Sequence, residues 1–387
     1  MRLATRMSRL GTETAFEVLA RARALEAQGR EIVHLEIGEP DFDTPANIVD
    51  AGVRALRNGK THYSPSAGSP ELRKVIADYI SETRRINATP DQVVAVPGGK
   101  PIMFYTILTL CEEGDEAIYP NPGYPIYESM IKFSGAKAVP YRLSMEKDFS
   151  FDVDEMCSLV TPKTRLIVIN SPANPTGGVL SKSDLETIAE IAIENDIMVL
   201  SDEIYSRILY EGEHISIASL PGMPERTILL DGFSKTYAMT GWRLGYGVMP
   251  AELATQVTRL QTNAVSCNAA FTMEAGIEAL MGSQDGPAKM VEEFRKRRDI
   301  IVDGLNDIPG FKCLKPKGAF YVFPNIAGTG LTSKKMADYL LTEAGVAVLS
   351  GASFGEYGEG FLRMSYANSV PNLEKALKWT KAAVAKL

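Results

Sequence analysis

Short apolar runs alternate with helical segments along most of the chain. From about residue 92 onward, stretches with helical periodicity follow the runs VVAVP, EAIYP and RLIVINSP, and three further apolar runs come after them, IMVLSDE, RTILLDGF and RLGYGVM. Strands separated by helices indicate β-α-β units and a mostly parallel sheet. Several of these runs are apolar without alternation, as expected of strands that are covered on both faces. The pattern predicts an α/β fold with a mostly parallel sheet flanked by helices.

The pattern changes after about residue 285. A long charged helix is predicted near 287–306, and two short strand-like runs, AFYVFP and GFLRMSY, follow it. We therefore predict a large α/β domain over 45–285 and a smaller α+β domain over 286–387. Residues 1–44 are expected to form an N-terminal arm and helix that join the small domain.

Composition narrows the class of protein. The chain has 387 residues, of which 45% are hydrophobic and 23% charged, as in ordinary globular proteins of about two domains. A net charge of −7 gives no electrostatic reason to expect nucleic acid or an anionic membrane as a partner. The basic cluster at 295–298 lies in a helical pattern among glutamates, and we interpret it as a solvated helix face.

Targeting and metal signals are weak. The cysteines form no C-x-x-C pair and the three histidines are scattered, so we expect a reduced protein without a metal site. The first residues lack the apolar core of a signal peptide, and no stretch has the roughly 20 apolar residues that span a bilayer. These features favour a cytoplasmic location.

Polar residues or glycines follow five successive predicted strands. In open parallel sheets, ligands bind beyond the carboxyl ends of the strands, so these residues are expected to converge. They are Gly98, Gly99 and Lys100; Tyr124; Ser171 and Asn174; Asp202 and Tyr205; and Ser234 and Lys235. The convergence predicts a ligand site at this edge more strongly than any single motif does.

Several of these residues are suited to bind an anionic group, and one of them provides a reactive amine. Lys235 lies between a strand and a glycine-containing turn, and a desolvated lysine amine is a nucleophile, although most lysines are simply on the surface. Ser234 and Arg243 offer donors that suit a phosphate, and the glycines before Lys100 open a helix, or form an ordinary turn. Neither G-x-x-x-x-G-K-[ST] nor G-x-G-x-x-G occurs, which disfavours a nucleotide-dependent kinase or dehydrogenase.

Other residues suit a flat, cationic ring and a carboxylate. Asp202 closes an apolar strand, where it meets a cation such as a protonated pyridine nitrogen or caps the next element. Tyr205 and Asn174 have polar groups that suit a phenolate oxygen. Alternatively, Tyr205 is a core aromatic residue and Asn174 a turn residue. Tyr124 stacks on a ring or packs in a loop. Arg363, inside an apolar strand, makes an ion pair or binds a substrate carboxylate.

Together these segments resemble a known family. The chain is similar over almost its whole length to class I aminotransferases of the type I pyridoxal-phosphate fold. Two N-terminal segments, EIGEPDFDTP and KTHYSPSAGSPELR, resemble the subgroup that includes many prokaryotic aspartate aminotransferases. The segments that carry the family resemblance are SPANPTGG (171–178), SDEIY (201–205), SKTYAMTGWRLGY (234–246) and RMSYA (363–367).

The resemblance implies pyridoxal 5′-phosphate as the cofactor. Lys235 would hold it as a Schiff base, Asp202 would pair with its pyridine nitrogen, and Tyr124 would stack on its ring. Asn174 and Tyr205 would hold the ring hydroxyl oxygen. The remaining implied cofactor contacts are to the phosphate, from the backbone at Gly99 and Lys100, from Ser234 and from Arg243. Tyr63 would reach the phosphate of a neighbouring subunit, which implies a homodimer.

The resemblance also implies the reaction. Arg363 would bind the substrate α-carboxylate, with the Gly38 backbone and Asn174 nearby, and Lys235 would be the general base of a ping-pong transamination. Lys100 favours an acidic substrate, aspartate or glutamate, with 2-oxoglutarate or oxaloacetate as partner. Tyr124 replaces the tryptophan usual in aspartate-specific relatives and is more typical of broader, aromatic or alanine-type enzymes. The same fold could also serve a carbon–sulfur β-lyase or a non-catalytic cofactor-binding sensor.

Overall fold

The computed structural model describes all residues from 1 to 387 as alternating strands and helices. The strands are β1 (Val33–His34), β2 (Val93–Val96), β3 (Glu116–Asn121), β4 (Lys137–Arg142), β5 (Thr164–Asn170), β6 (Met198–Asp202), β7 (Thr227–Gly232), β8 (Gly245–Val248), β9 (Tyr321–Val322), β10 (Val346–Ala347), β11 (Leu349–Ser350) and β12 (Leu362–Ser365). The helices are α1 (Ala15–Glu26), α2 (Ala46–Arg57), α3 (Pro70–Arg84), α4 (Lys100–Leu110), α5 (Ile126–Ser134), α6 (Val153–Leu159), α7 (Lys182–Glu194), α8 (Ala251–Val265), α9 (Ala270–Met281), α10 (Asp285–Asn306), α11 (Ser333–Tyr339) and α12 (Val370–Val384).

A seven-stranded sheet forms the centre of the molecule, with the strand order β2-β8-β7-β6-β5-β3-β4. All its pairings are parallel except those of β8, which runs antiparallel to both β2 and β7. The predicted α/β fold with a mostly parallel sheet is therefore confirmed.

Helices cover both faces of this sheet, which explains why its strands are apolar without alternation. Leu166 and Val168 of β5 belong to one buried cluster, which includes residues of α4, α5 and α8. Ile167 and Ile169 of the same strand belong to another, which includes residues of α6 and α7. Successive side chains point to opposite faces of a strand, so each face of β5 is buried.

A smaller antiparallel sheet, in the order β11-β12-β9, lies in the C-terminal part of the chain. It shares a large apolar cluster with α10 and α12. The N-terminal strand β1 pairs in parallel with β10, in the register Val33 to Val346. Residues 33–34 are thereby joined to the C-terminal part of the fold. None of the helices combines the length and apolar composition that a transmembrane helix requires.

The basic cluster of α10 differs from the prediction. Arg297 and Arg298 are only 6% and 2% exposed, so the interpretation as a solvated face is wrong for these two residues. Arg297 Nη1 lies 2.6 Å from Asp41 Oδ1, and the Arg298 guanidinium lies 4.7 Å from the centre of the Tyr210 ring. Carboxylate and aromatic partners from distant parts of the chain compensate the burial of these charges.

Candidate active site

One pocket of about 930 Å³ lies at the carboxyl ends of the central strands. It gathers the predicted site residues except Gly98, Ser171 and Tyr63. Tyr63 is 90% exposed and lies in the connection between α2 and α3. The gathered residues are Gly38, Gly99, Lys100, Tyr124, Asn174, Asp202, Tyr205, Ser234, Lys235, Arg243 and Arg363. The expected convergence at this edge of the sheet therefore occurs.

Lys235 follows β7 and presents its amine to the pocket. Its Nζ atom donates a hydrogen bond of 2.5 Å to the carbonyl oxygen of Gly38 and makes no ion pair with a carboxylate. Burial lowers the pKa of the Lys235 amine to about 8, against an opposing effect of Glu39. An amine with a lowered pKa is more often neutral near pH 7 and is therefore a better nucleophile and base.

Asp202 is the last residue of β6, and its carboxylate is 3% exposed. The Tyr127 hydroxyl donates a hydrogen bond of 2.6 Å to Oδ2, and the Ile204 N–H donates one of 3.2 Å to Oδ1. Burial raises the pKa of Asp202 to about 6, while these two hydrogen bonds lower it. No lysine, arginine or histidine pairs with this carboxylate, so it suits a cationic group of a ligand.

A buried ionic network lies behind Asp202, and the sequence did not reveal it. Arg84, at the end of α3, donates from Nε to Glu203 Oε2 at 2.8 Å and from Nη2 to Asp231 Oδ2 at 2.7 Å. His214 Nε2 lies 2.8 Å from the same Glu203 oxygen. Burial raises the pKa of Glu203, but His214 and Arg84 oppose it and bring that pKa to about 2. Burial raises the pKa of Asp231 to about 6 despite Arg84.

Arg363 lies on β12 and faces the pocket from the small sheet. It is 4% exposed, and its guanidinium carbon lies 4.7 Å from the centre of the Tyr321 ring and 5.4 Å from that of Phe354. One terminal nitrogen donates to the Glu36 carbonyl oxygen, whereas Nε has no hydrogen-bond partner. Burial lowers the pKa of Arg363. A buried guanidinium without a carboxylate partner suits a planar anion of the substrate.

The start of α4 forms a cradle for an anion. Gly98 precedes it with φ +85°, and a Cβ atom there would lie 2.2 Å from Arg243 Nη2, so only glycine allows the guanidinium to approach this turn. Arg243 Nη1 also donates a hydrogen bond of 2.9 Å to the Thr240 carbonyl oxygen. Ser234, which is buried, lines the same pocket. A helix N-terminus beside a guanidinium and a hydroxyl suits a phosphate.

Asn174 and Tyr205 present polar atoms between these two ends of the pocket. The Tyr205 hydroxyl lies 2.8 Å from that of Tyr321, and the buried Oδ1 of Asn174 has no hydrogen-bond partner in the protein. Burial raises the pKa of Tyr205 well above its ordinary value, so the phenol stays protonated and can donate. Tyr321 was not predicted from the sequence, where it appeared only as an apolar strand residue.

The N-terminal segment supplies a further pocket residue that the sequence did not reveal. The Glu13 carboxylate accepts a hydrogen bond of 2.6 Å from the Tyr124 hydroxyl and forms an ion pair with Lys100. Lys100 Nζ lies 5.7 Å from the centre of the Tyr124 ring. Glu13 precedes α1 in a stretch of charged and small residues, which carries no motif that would mark it.

The side chains form no cluster suited to metal binding or to thiol chemistry. No group of three or more histidine, cysteine, aspartate or glutamate side chains is arranged to hold a metal ion. The four cysteines are unpaired thiols, and burial raises the pKa of both Cys111 and Cys313 to about 12. The reactive groups of the pocket are therefore its amines, carboxylates, phenols and guanidinium groups and the imidazole of His34.

The donor set fits pyridoxal phosphate. The buried carboxylate of Asp202 accepts hydrogen bonds from Tyr127 and from the Ile204 N–H but has no cationic partner, which suits a protonated ring nitrogen. The cradle around Gly98, Ser234 and Arg243 suits the phosphate. Lys235 lies in the same pocket as Asp202, Ser234 and Arg243. The two ends of the cofactor thus have chemically matched residues around a lysine amine.

Comparisons with known proteins agree with this chemistry. A family model described as aminotransferase class I and II matches residues 30–378. An aspartate aminotransferase of Musicola paradisiaca is 39% identical over 97% of this chain and 94% of its own length. An aromatic-amino-acid aminotransferase of Thermococcus litoralis is 42% identical over 91% of each chain. The structure of aspartate aminotransferase from Thermus thermophilus with maleate aligns with a TM-score of 0.94 at 37% identity, covering 99% of this chain and 100% of that one.

The family match, the relatives and the pocket lead to the same assignment. The match spans most of the chain, and the relatives are aligned over nearly their full lengths. The chain belongs to the class I and II aminotransferases, and it is a pyridoxal-phosphate-dependent enzyme that transfers the amino group of an amino acid to a 2-oxo acid.

Proposed function

We propose that the amino donor is an acidic L-amino acid, aspartate or glutamate, and that the acceptor is 2-oxoglutarate or oxaloacetate. The observation that carries this proposal is the presence of two cationic side chains, Arg363 and Lys100, in the pocket of Lys235. A dicarboxylic substrate offers one carboxylate to each of them. The Thermus thermophilus relative of known structure was solved with maleate, which is a dicarboxylate.

We assign the cofactor contacts from the chemistry of the pocket. As the family resemblance implies, Asp202 would pair with the ring nitrogen, Asn174 and Tyr205 would hold the ring oxygen, and Tyr124 would stack on the ring. Ser234, Arg243 and the first backbone N–H groups of α4, at Gly99 and Lys100, hold the phosphate. When bound, pyridoxal phosphate supplies an aldehyde that takes up the amino group and a cationic ring that withdraws electrons from the substrate α-carbon.

Arg363 and Lys235 act on the substrate, by binding its carboxylate and by moving its proton. Arg363 fixes the α-carboxylate through its forked donors, one of which, Nε, is free of protein partners. Gly38 and Asn174 lie beside this carboxylate in our assignment. The Lys235 amine would hold the cofactor. Its Nζ atom would also be the base that takes the substrate α-proton, and burial, which lowers the pKa of this amine to about 8, increases its neutral fraction near neutral pH.

The substrate assignment is tested with Lys100→Ala and a panel of amino acids. Loss of the ammonium group should raise KM for aspartate and glutamate by about fivefold or more and leave KM for alanine nearly unchanged, because alanine has no second carboxylate. Lys132→Ala, which removes an exposed lysine of α5, is the matched control. An unchanged preference for aspartate over alanine in the Lys100 variant would refute the proposal.

Broader or aromatic specificity is the second candidate, and two observations favour it. Tyr124 rather than tryptophan lines the pocket, and the Thermococcus litoralis relative is named for aromatic amino acids. Single-turnover changes in cofactor absorbance across acidic, aromatic and small amino acids separate the two candidates. Release of pyruvate from cysteine conjugates without any oxo acid would reveal a carbon–sulfur β-lyase activity beside transamination.

We also propose that the enzyme is a homodimer in which Tyr63 reaches the phosphate of the neighbouring site. Tyr63 is 90% exposed and does not line the pocket of its own subunit. Mixed dimers of Tyr63→Ala and Lys235→Ala subunits test this, because one of their two sites would hold both native residues. Recovered activity supports a shared site, and its absence refutes it. A cytoplasmic location remains a prediction from the unpaired cysteines.

A further inference from the structure

A carboxylate of the protein lies in the subsite that we propose for the substrate side chain. Glu13 Oε1 accepts the hydrogen bond of 2.6 Å from the Tyr124 hydroxyl and is also the atom paired with Lys100. The Glu13 side chain is 19% exposed and that of Lys100 is 47% exposed. The two donors that a substrate side-chain carboxylate would use are therefore already engaged.

The segment that carries Glu13 is attached to the fold by few buried contacts. The short helical turn Thr5–Arg9 before it has no buried residue, and α1 after it buries only Ala22. Between them, the Gly11 N–H donates a hydrogen bond of 2.9 Å to Ser129 Oγ. Segments with few buried apolar contacts open at low cost, so Glu13 can leave the subsite without disturbing the core.

The strength of the Glu13 contacts sets the size of the competition. The ion pair with Lys100 is partly exposed, and such pairs change an equilibrium by up to about fivefold. The hydrogen bond from Tyr124 adds a further factor of similar size. A substrate carboxylate that replaces Glu13 makes both contacts itself, but the contacts of Glu13 with Lys100 and Tyr124 must be broken first. The net affinity for the substrate is therefore lower than it would be without Glu13.

We propose that Glu13 is a specificity-determining residue that competes with the side-chain carboxylate of acidic substrates for Lys100 and Tyr124. An acidic side chain displaces Glu13 and takes both donors. An uncharged or aromatic side chain leaves Glu13 in place, so that it meets a neutralised lysine rather than an unpaired cation. This inference rests on the proposed acidic specificity and extends it, because one pocket then accepts both kinds of side chain.

The test is Glu13→Gln in the holoenzyme, with Glu17→Gln as the matched control. Glu17 lies on the exposed part of α1 and does not line the pocket. In Glu13→Gln, KM for aspartate and Kd for the unreactive dicarboxylate maleate should fall by up to about fivefold. KM for phenylalanine should rise, because Lys100 is then unpaired, while kcat changes little. Glu17→Gln should leave all four quantities unchanged.

The double variant Lys100→Ala, Glu13→Gln separates this inference from the proposed function. If Glu13 acts through Lys100, Glu13→Gln should have much less effect on KM for aspartate in the Lys100→Ala background. If Lys100→Ala alone leaves aspartate unaffected, the acidic specificity fails. If Lys100→Ala impairs aspartate but Glu13→Gln leaves the maleate Kd unchanged or raises it, the acidic specificity stands and the role of Glu13 is overturned.

Discussion

Arg84→Met should destabilise the protein strongly, although Arg84 lies outside the pocket. The substitution keeps most of the side-chain length and removes the positive charge that faces Glu203 at 2.8 Å and Asp231 at 2.7 Å. Arg84 is 4% exposed, so water cannot replace it. Removal of one partner from a buried ion pair typically costs about 3–5 kcal/mol, and here two carboxylates lose their shared arginine. We expect the free energy of unfolding to fall by about 3–5 kcal/mol.

Urea unfolding of the holoenzyme at pH 7.5 and pH 5.5 measures this effect. Burial already raises the pKa of Asp231 to about 6, and loss of Arg84 raises it further above that of the unfolded chain. The folded variant therefore binds a proton more readily than the unfolded chain does, and its stability is regained as the pH falls through the raised pKa. The deficit relative to the native protein should be smaller at pH 5.5 than at pH 7.5.

The neighbouring residue supplies the control for this prediction. Arg85 is 82% exposed and lies 3.3 Å from Glu213, so Arg85→Met should change the free energy of unfolding by no more than about 1 kcal/mol. Asp231→Asn added to Arg84→Met should recover part of the loss, because one buried charge is removed with its partner. If Arg84→Met costs no more than Arg85→Met, the network does not carry the stability that we assign to it.

Three further predictions concern the pocket. Lys235→Ala should abolish covalent retention of pyridoxal phosphate after borohydride reduction, measured by mass spectrometry, and lower turnover by at least about a hundredfold; full activity would refute its role. Arg363→Leu should lower kcat/KM for every amino acid and oxo acid by about a hundredfold or more, since the lost contact is to the shared α-carboxylate, and an effect on one substrate only would contradict this. Tyr127→Phe removes the hydrogen bond that lowers the pKa of Asp202, so the acidic limb of the pH profile of pyridoxal phosphate affinity, measured on the cofactor-free protein, should move to higher pH by about one to two units. An unmoved limb would show that Tyr127 does not control this ionisation.

The sequence predicted the central sheet well, except at its edge. Strand β4 was not predicted because it is half exposed and contains Pro140, and a proline lowers the expectation of a strand. The structure places β4 at the edge of the sheet, paired only with β3, where a missing N–H is tolerated. Helices α8 and α9 were also not predicted, although both contribute residues to buried apolar clusters that include strands of the central sheet.

The pocket residues that follow strands could be predicted for a topological reason. The carboxyl ends of parallel strands meet at one edge, so Asp202 at the end of β6 and Lys235 after β7 had to lie near each other. Arg363 was recognisable because a charged residue inside an apolar strand requires a partner. These signals are local in the sequence, so they can be recognised without knowledge of the packing.

Only the tertiary structure could supply the partners that act on these residues. Glu13 is 111 positions from Tyr124 and Tyr127 is 75 positions from Asp202, and no periodicity or motif links either pair. The burial of Arg297 and Arg298 was hidden in the same way, because a charged helix is expected to be solvated until the elements that cover it are known. The sequence by itself determined the elements, the sheet and the residues at its edge, since these depend on short-range patterns. The charges that tune them were decided by packing, since the energy of a buried ion depends on which distant groups surround it.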